Sequence, residues 1–183
     1  PGATNLVTGV ADANTDGAPL VAITGQVGTE RMHLTSHQFL DLVNMFSPIT
    51  KRSKQIVRPD TVNEIIRIAF KYAENEKPGA THVDLPCNIA RMEVPDGPAT
   101  KPLKHHKPNM EMACIENLEE AAGAIFQAKK PVMLVGHSAV RNKASKEITA
   151  FAHKMKIPVI NTMMAKGVIP FDDPYSMWTI GIP

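Results

Sequence analysis

Two pairs of histidines have a spacing that could support metal binding. His33 and His37 stand four residues apart, which on a helix would place two metal ligands on one face. No cysteine, glutamate or third histidine completes a recognised metal-binding pattern beside them, and His105 with His106 lies in a basic stretch that we expect to be solvated. We therefore predict that the chain carries no metal ligands.

Three further features stand at the ends of predicted strands. Cys87 follows such a strand, but no adjacent residue supplies the base or positive charge that a nucleophilic thiol needs. His82 alternates with Val83, so we expect it on the opposite face of its strand with a hydrogen-bond partner. Gly136 connects a strand to a helix without a G-x-G-x-x-G motif, which favours a tight turn and leaves nucleotide binding as an alternative.

Composition excludes several classes of protein. The 183 residues include 20 Lys+Arg and 18 Asp+Glu, a formal net charge of +2 that predicts no nucleic-acid or anionic-membrane partner. No apolar run is long enough to cross a membrane, and Pro1–Asn14 has no signal-peptide pattern. Two cysteines do not make a disulfide framework, which indicates a cytoplasmic protein.

The elements that would position these residues alternate between short strands and longer helices, a pattern typical of α/β proteins with parallel sheets. Asp60–Glu76 is the clearest helix, with one apolar face and a capping box between Thr61 and Glu64. The other predicted helices are Asn5–Ala13, Asn117–Ala128 and Asn142–Lys156, and the predicted strands are Pro19–Thr24, Ala80–Leu85, Pro131–Val135 and Ile157–Asn161.

The periodicity stops in the middle of the chain. Residues 91–112 contain several prolines and a cluster of bases, which predicts an extended linker between two domains. We expect the domains to span residues 1–90 and 113–183. From the residues alone the reaction stays open.

Four segments, read together, resemble the large subunit of acetolactate synthase, a thiamine diphosphate-dependent enzyme. Pro1–Val27 resembles the family's Gly-Pro-Gly-Ala-Thr-Asn helix start and Ile-Thr-Gly-Gln-Val strand end, and Glu76–Ile89 resembles its Val-Asp-Leu-Pro segment. Lys129–Ala139 and Lys156–Ser176 resemble two segments of the family's middle domain. The resemblance implies half of a pyrimidine-binding thiamine diphosphate domain, followed by half of a Rossmann-like middle domain, both as three-layer α/β units with parallel sheets.

The resemblance also implies the chemistry. Family members decarboxylate pyruvate on thiamine diphosphate with Mg²⁺ and add the product to a second 2-oxo acid, in branched-chain amino acid biosynthesis or acetoin metabolism. The family's catalytic glutamate would lie before Pro1, and its Gly-Asp-Gly…Asn motif for magnesium would lie beyond Pro183. The chain by itself is therefore expected to be an inactive fragment, and the parent enzyme is expected to be a homodimer or homotetramer.

Six positions of this chain fall on the family's site motifs. The resemblance implies that Gln38 and His37 are catalytic, although His37 stands where the biosynthetic enzymes have phenylalanine. It implies that the cofactor is bound by Pro1, Gly2, Asn5 and Gln26.

Departures from the biosynthetic pattern bear on FAD. Cys87 replaces a lysine, and Ser47 replaces an arginine that touches FAD in the biosynthetic enzymes. Loss of that guanidinium would remove a charge-assisted hydrogen bond, so we expect no FAD and a closer likeness to the catabolic type. Two alternatives remain: another thiamine diphosphate-dependent decarboxylase, carboligase or oxidase, and a non-enzymatic nucleotide-binding or assembly module.

Overall fold

Two units, Pro1–Asn109 and Met110–Pro183, make up the chain. The computed structural model describes residues 1–34, 37–94 and 112–181. Each unit contains a parallel sheet of three strands, which confirms the predicted α/β class. The predicted linker lies mostly outside the described residues.

The first unit is built on a sheet with strand order β1-β3-β2. Because all strands run parallel, their carboxyl ends meet at one edge, where Gln26 pairs with Pro86 and Gln55 pairs with Asp84. The strands are β1 (Leu20–Gln26), β2 (Arg52–Gln55) and β3 (Ala80–Pro86), and the helices are α1 (Val7–Asp16), α2 (Leu42–Phe46), α3 (Val62–Glu74) and α4 (Cys87–Ala90).

Helices cover both faces of this sheet. Val10 of α1 and Phe46 of α2 pack with Ala22 and Ala80 on one face. Ala69 of α3 and Ile89 of α4 pack with Val83 on the other face. The first unit is therefore a three-layer α/β structure, and alternate residues of β1 and β3 serve the two cores.

Helix α3 confirms the helical periodicity but corrects two details. Ala69 and Ala73 are buried as the period predicts, whereas Phe70 is 44% exposed. The capping box is wrong, because the Thr61 hydroxyl donates to the Arg58 carbonyl at 2.8 Å instead of capping the helix. The 3₁₀ turn Pro59–Thr61 precedes the helix and directs this hydroxyl backwards.

The second unit has strand order β4-β5-β6. Ala152 of α7 packs with Val135 and Val159 of the sheet, whereas Leu134 is 62% exposed and α5 contributes no buried side chain. The described helices include none that is both long and apolar enough to cross a membrane. The strands are β4 (Met133–Val135), β5 (Val159–Asn161) and β6 (Ser176–Thr179), and the helices are α5 (Ile115–Gln127), α6 (His137–Arg141) and α7 (Ser145–Met155).

Candidate functional site

A cleft of about 360 Å³ lies at the carboxyl end of β1, and we call it the β1 cleft. Three segments form its walls: the start of the chain before α1, the end of β1, and the loop that leads into α2. This is the edge at which open parallel sheets bind ligands. The lining residues are Pro1, Gly2, Ala3, Leu6, Ile23, Thr24, Gly25, Gln38, Leu40 and Leu42.

Two glycines leave space in the walls of the β1 cleft. A Cβ atom built on Gly2 or on Gly25 would meet no heavy atom within 4 Å. A ligand can therefore approach the backbone closely at both positions, while Leu6, Ile23 and Leu40 supply apolar wall. Such a cleft is suited to a flat ring with a few polar atoms.

The segment before α1 is held in a compact turn by hydrogen bonds to its own backbone. The Thr4 hydroxyl donates to the Pro1 carbonyl at 2.7 Å, and the Asn5 N–H donates to the same oxygen at 3.4 Å. Pro1 and Gly2 line the β1 cleft, whereas Asn5 is exposed and is not among its lining residues. The structure therefore brings only two of these three predicted positions to the cleft wall.

Gln26 connects β1 to the loop on the far side of the cleft. Its side-chain Nε2 donates to the Leu40 carbonyl at 2.8 Å, and its Oε1 accepts from the Val27 N–H at 3.0 Å. Because these bonds engage both ends of the amide, Gln26 holds the loop that carries Gln38 and Leu40.

Gln38 and His37 are neighbours in sequence, but only Gln38 is among the residues that line the β1 cleft. Gln38 has a φ of 65°, a left-handed backbone conformation that is uncommon for residues other than Gly, Asn or Asp. Such strained residues cluster at ligand-binding sites. His37 is exposed, as is His33, and residues 35 and 36 between them lie outside the described part.

A buried polar network lies directly behind the β1 cleft. The Thr24 hydroxyl is 2.8 Å from His82 Nε2 and donates to Asp84 Oδ1 at 3.1 Å. The Ser53 hydroxyl is 2.8 Å from His82 Nδ1, and Gln55 Nε2 donates to Asp84 Oδ2 at 2.7 Å. Adjacent strands thus present their polar residues on one face, in register across β1, β3 and β2.

Hydrogen bonding and burial together determine the state of His82. Thr24 has a single hydroxyl proton, which is donated to Asp84, so the bond from His82 Nε2 to Thr24 requires a proton on Nε2. Because burial favours the neutral ring, Nδ1 carries no proton near pH 7 and accepts from the Ser53 hydroxyl. Burial lowers the pKa of His82 below its ordinary value, and the nearby Asp84 carboxylate opposes this effect more weakly. The ring also stacks on Phe46, with 4.2 Å between ring centroids.

The predicted hydrogen-bond partner for His82 is confirmed, but the network as a whole was missed. The signal was available in the sequence, because Thr24 and Gln26, Ser53 and Gln55, and His82 and Asp84 each alternate at strand spacing. What the sequence lacked was the register that aligns them.

Other candidate sites are weaker in the structure. Gly136 has an extended φ of −102° and open space around its missing Cβ, so the turn does not need glycine. Helix α6, which follows it, has only 5 residues. Cys87 is exposed and not in a disulfide. Within residues 1–34, 37–94 and 112–181, no group of three or more His, Cys, Asp or Glu residues could hold a metal ion.

Two family models match this chain. Residues 1–47 match the N-terminal thiamine pyrophosphate binding domain of thiamine pyrophosphate enzymes, and residues 118–183 match their central domain. The first match contains every residue that lines the β1 cleft. Residues 1–47 and 118–183 are thus similar to two domains of one class of enzyme, the thiamine pyrophosphate enzymes, also called thiamine diphosphate enzymes.

Within that class the chain is homologous to acetolactate synthase large subunits. It is 36% identical over its whole length to a probable acetolactate synthase large subunit of Methanocaldococcus jannaschii, and covers 31% of that protein. It is 37% identical over 93% of its length to the large subunit of Corynebacterium glutamicum, covering 27% of it. It is 33% identical over its whole length to the large subunit of Lactococcus lactis, covering 32% of it. The chain thus spans about a third or less of these relatives.

Proposed function

We propose that this chain supplies the pyrimidine-side wall of a thiamine diphosphate site in an acetolactate synthase. The observation that carries the proposal is the β1 cleft, which lies wholly within the segment that matches the family's N-terminal cofactor-binding domain. The reaction proposed is the condensation of two pyruvates to 2-acetolactate with release of CO₂. Homology over the whole chain to acetolactate synthase large subunits supports the choice of this reaction.

The residues of the β1 cleft fit one ring of thiamine diphosphate. Its aminopyrimidine is flat, with polar nitrogens at its edge, and the cleft offers open backbone at Gly2 and Gly25 beside apolar side chains. When bound, thiamine diphosphate supplies the carbon that adds to the 2-oxo acid and the electron sink for decarboxylation. The proposal assigns Pro1 and Gly2 to binding of the ring.

Gln38 is proposed to contact the reactants from the loop opposite β1. Its amide both donates and accepts hydrogen bonds, so it can bind the carbonyl or carboxylate of a 2-oxo acid. Its left-handed backbone and the bond from Gln26 to Leu40 fix where this amide lies. His37 and Asn5, which are exposed, and Gln26 are proposed to shape the site rather than to line it.

Magnesium is proposed as the partner of the cofactor's diphosphate. Because no cluster of suitable ligands occurs among the described residues, the proposal assigns no residue of this chain to the metal. FAD is proposed to be dispensable, since Ser47 offers no cation for its phosphate groups. We further propose a cytoplasmic homodimer or homotetramer; the two exposed cysteines, which form no disulfide, favour a reducing compartment.

Product analysis tests the proposal. The protein is produced from its complete coding sequence, freed of cofactors, and incubated with pyruvate after addition of thiamine diphosphate and Mg²⁺, with and without FAD. We expect 2-acetolactate in both cases and none without thiamine diphosphate. Acetaldehyde as the main product would instead assign a simple decarboxylase. Parallel incubations contain pyruvate with inorganic phosphate and oxygen, or glyoxylate in place of pyruvate; acetyl phosphate in the first, or condensation of glyoxylate in the second, as the main reaction would assign another reaction of the same cofactor. A requirement for FAD would overturn the flavin part alone.

A further inference from the structure

Asn88 stands on a rigid part of the first unit, at the carboxyl edge of its sheet. Helix α4 follows β3 without a loop, because Pro86 ends the strand and Cys87 begins the helix. Pro86 is buried and pairs with Gln26 of β1, and Ile89 lies in the core that α3 forms with the sheet. The backbone of Asn88 is therefore fixed on both sides by buried neighbours.

Two hydrogen bonds join Asn88 to Thr29, a residue of the loop that follows β1. Asn88 Nδ2 donates to the Thr29 hydroxyl at 2.8 Å, and the Thr29 N–H donates to Asn88 Oδ1 at 3.1 Å. Because a backbone N–H needs an oxygen acceptor, the two bonds together fix the orientation of the amide. We call this reciprocal pair of bonds the Asn88–Thr29 clasp.

The Asn88–Thr29 clasp holds the segment of the loop that leads to Gln38. Residues 27–34 form this segment, and the Arg31 N–H donates to the Gly28 carbonyl at 2.9 Å, which closes a turn around Thr29. Only three residues separate the segment from Gln38. Because so short a connection has little reach, the clasp limits where Gln38 can lie.

Gln38 is therefore held from two directions. The bond from Gln26 to the Leu40 carbonyl fixes the chain after Gln38, and the Asn88–Thr29 clasp fixes the chain before it. A misplacement of about 1 Å at a reacting centre can lower a rate about a hundredfold, so these bonds bear on activity as well as on folding.

We propose that Asn88, through its clasp with Thr29, positions Gln38 for contact with the 2-oxo acid. The inference rests on the proposed function, in which Gln38 binds the carbonyl or carboxylate of the reactant. Asn88 is not among the residues that line the β1 cleft, so it is a positioning residue that acts through Gln38 and not a catalytic one.

A double-mutant cycle on the protein from its complete coding sequence tests the inference. Asn88→Leu keeps the branched shape of the side chain and removes both hydrogen bonds. With thiamine diphosphate and Mg²⁺ in excess, we expect it to lower kcat/KM for pyruvate about tenfold. In a Gln38→Gly background the amide to be positioned is gone, so the same change should lower kcat/KM less than about twofold. A merely structural role of Asn88 would give equal losses in both backgrounds.

Conservative variants separate the hydrogen bonds from the packing of the side chain. Asn88→Asp should keep kcat/KM within about twofold of the wild type, because a carboxylate accepts from both the N–H and the hydroxyl of Thr29. Thr29→Val should lower kcat/KM and Thr29→Ser should preserve it, and this pair decides the question if Asn88→Leu does not fold. Asn117→Leu is the matched control, since it removes an exposed amide from α5 in the second unit and should leave kcat/KM unchanged.

Hydrogen exchange measures the clasp independently of activity. We expect the amides of residues 27–34 to exchange faster in Asn88→Leu than in the wild type, and at the wild-type rate in Asn88→Asp. Unchanged exchange in folded Asn88→Leu would show that the clasp does not hold the loop, and the inference would fail.

Equal losses of kcat/KM from Asn88→Leu in the two backgrounds would also overturn the inference and leave the proposed function standing. Wild-type kcat/KM in folded Asn88→Leu, or equal values in Thr29→Val and Thr29→Ser, would do the same. A wild-type protein that forms no 2-acetolactate from pyruvate would overturn the proposed function, and the inference with it.

Discussion

His82 is neutral near pH 7 because its ring is buried, and a buried imidazolium would lose its hydration. Phe46 stacks on one face, Thr24 and Ser53 occupy both ring nitrogens, and the side chain is only 1% exposed. Burial disfavours the imidazolium form, which is the main cause of its lowered pKa. One residue thereby links the packing of α2 on the sheet to the hydrogen bonding behind the β1 cleft.

The stability of the protein should therefore fall in mild acid. Because the folded pKa of His82 lies below the unfolded value near 6.5, the unfolded chain binds the proton more readily. The contribution of neutral His82 to the free energy of unfolding is complete above pH 6.5 and is lost as the pH falls through the folded pKa. We expect thermal denaturation to show a smaller loss of Tm between pH 7 and pH 5 in His82→Gln than in the wild type. His33→Gln, at an exposed position, is the control and should behave as the wild type; equal losses in all three proteins would contradict this account.

Gln38 combines backbone strain with a place in the site, so its two roles can be separated. Gln38→Gly relieves the left-handed backbone and removes the amide, and we expect the free energy of unfolding to stay constant or rise by up to about 1 kcal/mol. We expect kcat/KM for pyruvate to fall at least about tenfold, the scale of one lost hydrogen bond to a reactant. Urea denaturation and steady-state kinetics measure the two effects. Loss of stability with full activity would show that Gln38 only holds the loop.

At the scale of elements, the turn between α3 and β3 is closed by a lysine from another segment. Lys51 Nζ donates to the carbonyls of Asn75 and Lys77, at 2.7 Å each. The Lys51 N–H donates to the Ala80 carbonyl at 2.8 Å, so this residue connects β2, the turn and β3. Burial lowers the pKa of Lys51, and nearby Glu76 partly opposes this.

Removing this ammonium should destabilise the first unit. We expect Lys51→Met to lower the free energy of unfolding by about 1–2 kcal/mol, since two backbone carbonyls lose a charged donor. Lys54→Met is the matched control, because Lys54 is an exposed lysine of β2, the strand that Lys51 directly precedes, and we expect it to change stability by less than about 0.5 kcal/mol. Urea denaturation of both variants measures the difference. Equal effects would mean that the Lys51 bonds contribute nothing beyond those of a surface lysine.

Elements with a strong apolar period were predictable from the sequence, and polar or short ones were not. The period of α3 and the apolar run of β1 located both correctly. Strand β2 has the sequence Arg-Ser-Lys-Gln, which shows no apolar alternation, and it forms because the edge of β3 offers it backbone partners. Helix α2 has only 5 residues, too few for a period to be read.

The candidate site was predictable only in part for a related reason. Resemblance indicated Pro1, Gly2 and Gln38, which the structure brings to one cleft. The bond between Thr24 and Asp84 joins residues 60 positions apart, and no local pattern specifies such a pairing. It depends on the parallel register of β1 and β3, which is set by packing on both faces of the sheet.

At the scale of the whole molecule, each unit has a parallel sheet and an apolar core of its own. The first unit contains the β1 cleft and the network behind it, and the second matches the family's central domain. The central claim of this account is that the β1 cleft binds thiamine diphosphate.

The most direct measurement is the affinity for thiamine diphosphate of two matched glycine variants. Gly25 and Gly9 both have no heavy atom within 4 Å of an added Cβ, so Gly25→Val and Gly9→Val should both fold. Gly25 lines the β1 cleft, and Gly9 lies on the exposed side of α1. We predict that titration calorimetry with Mg²⁺ will show binding at least about tenfold weaker for Gly25→Val, because valine fills the ligand's space, and unchanged binding for Gly9→Val. Wild-type affinity in folded Gly25→Val would contradict the claim.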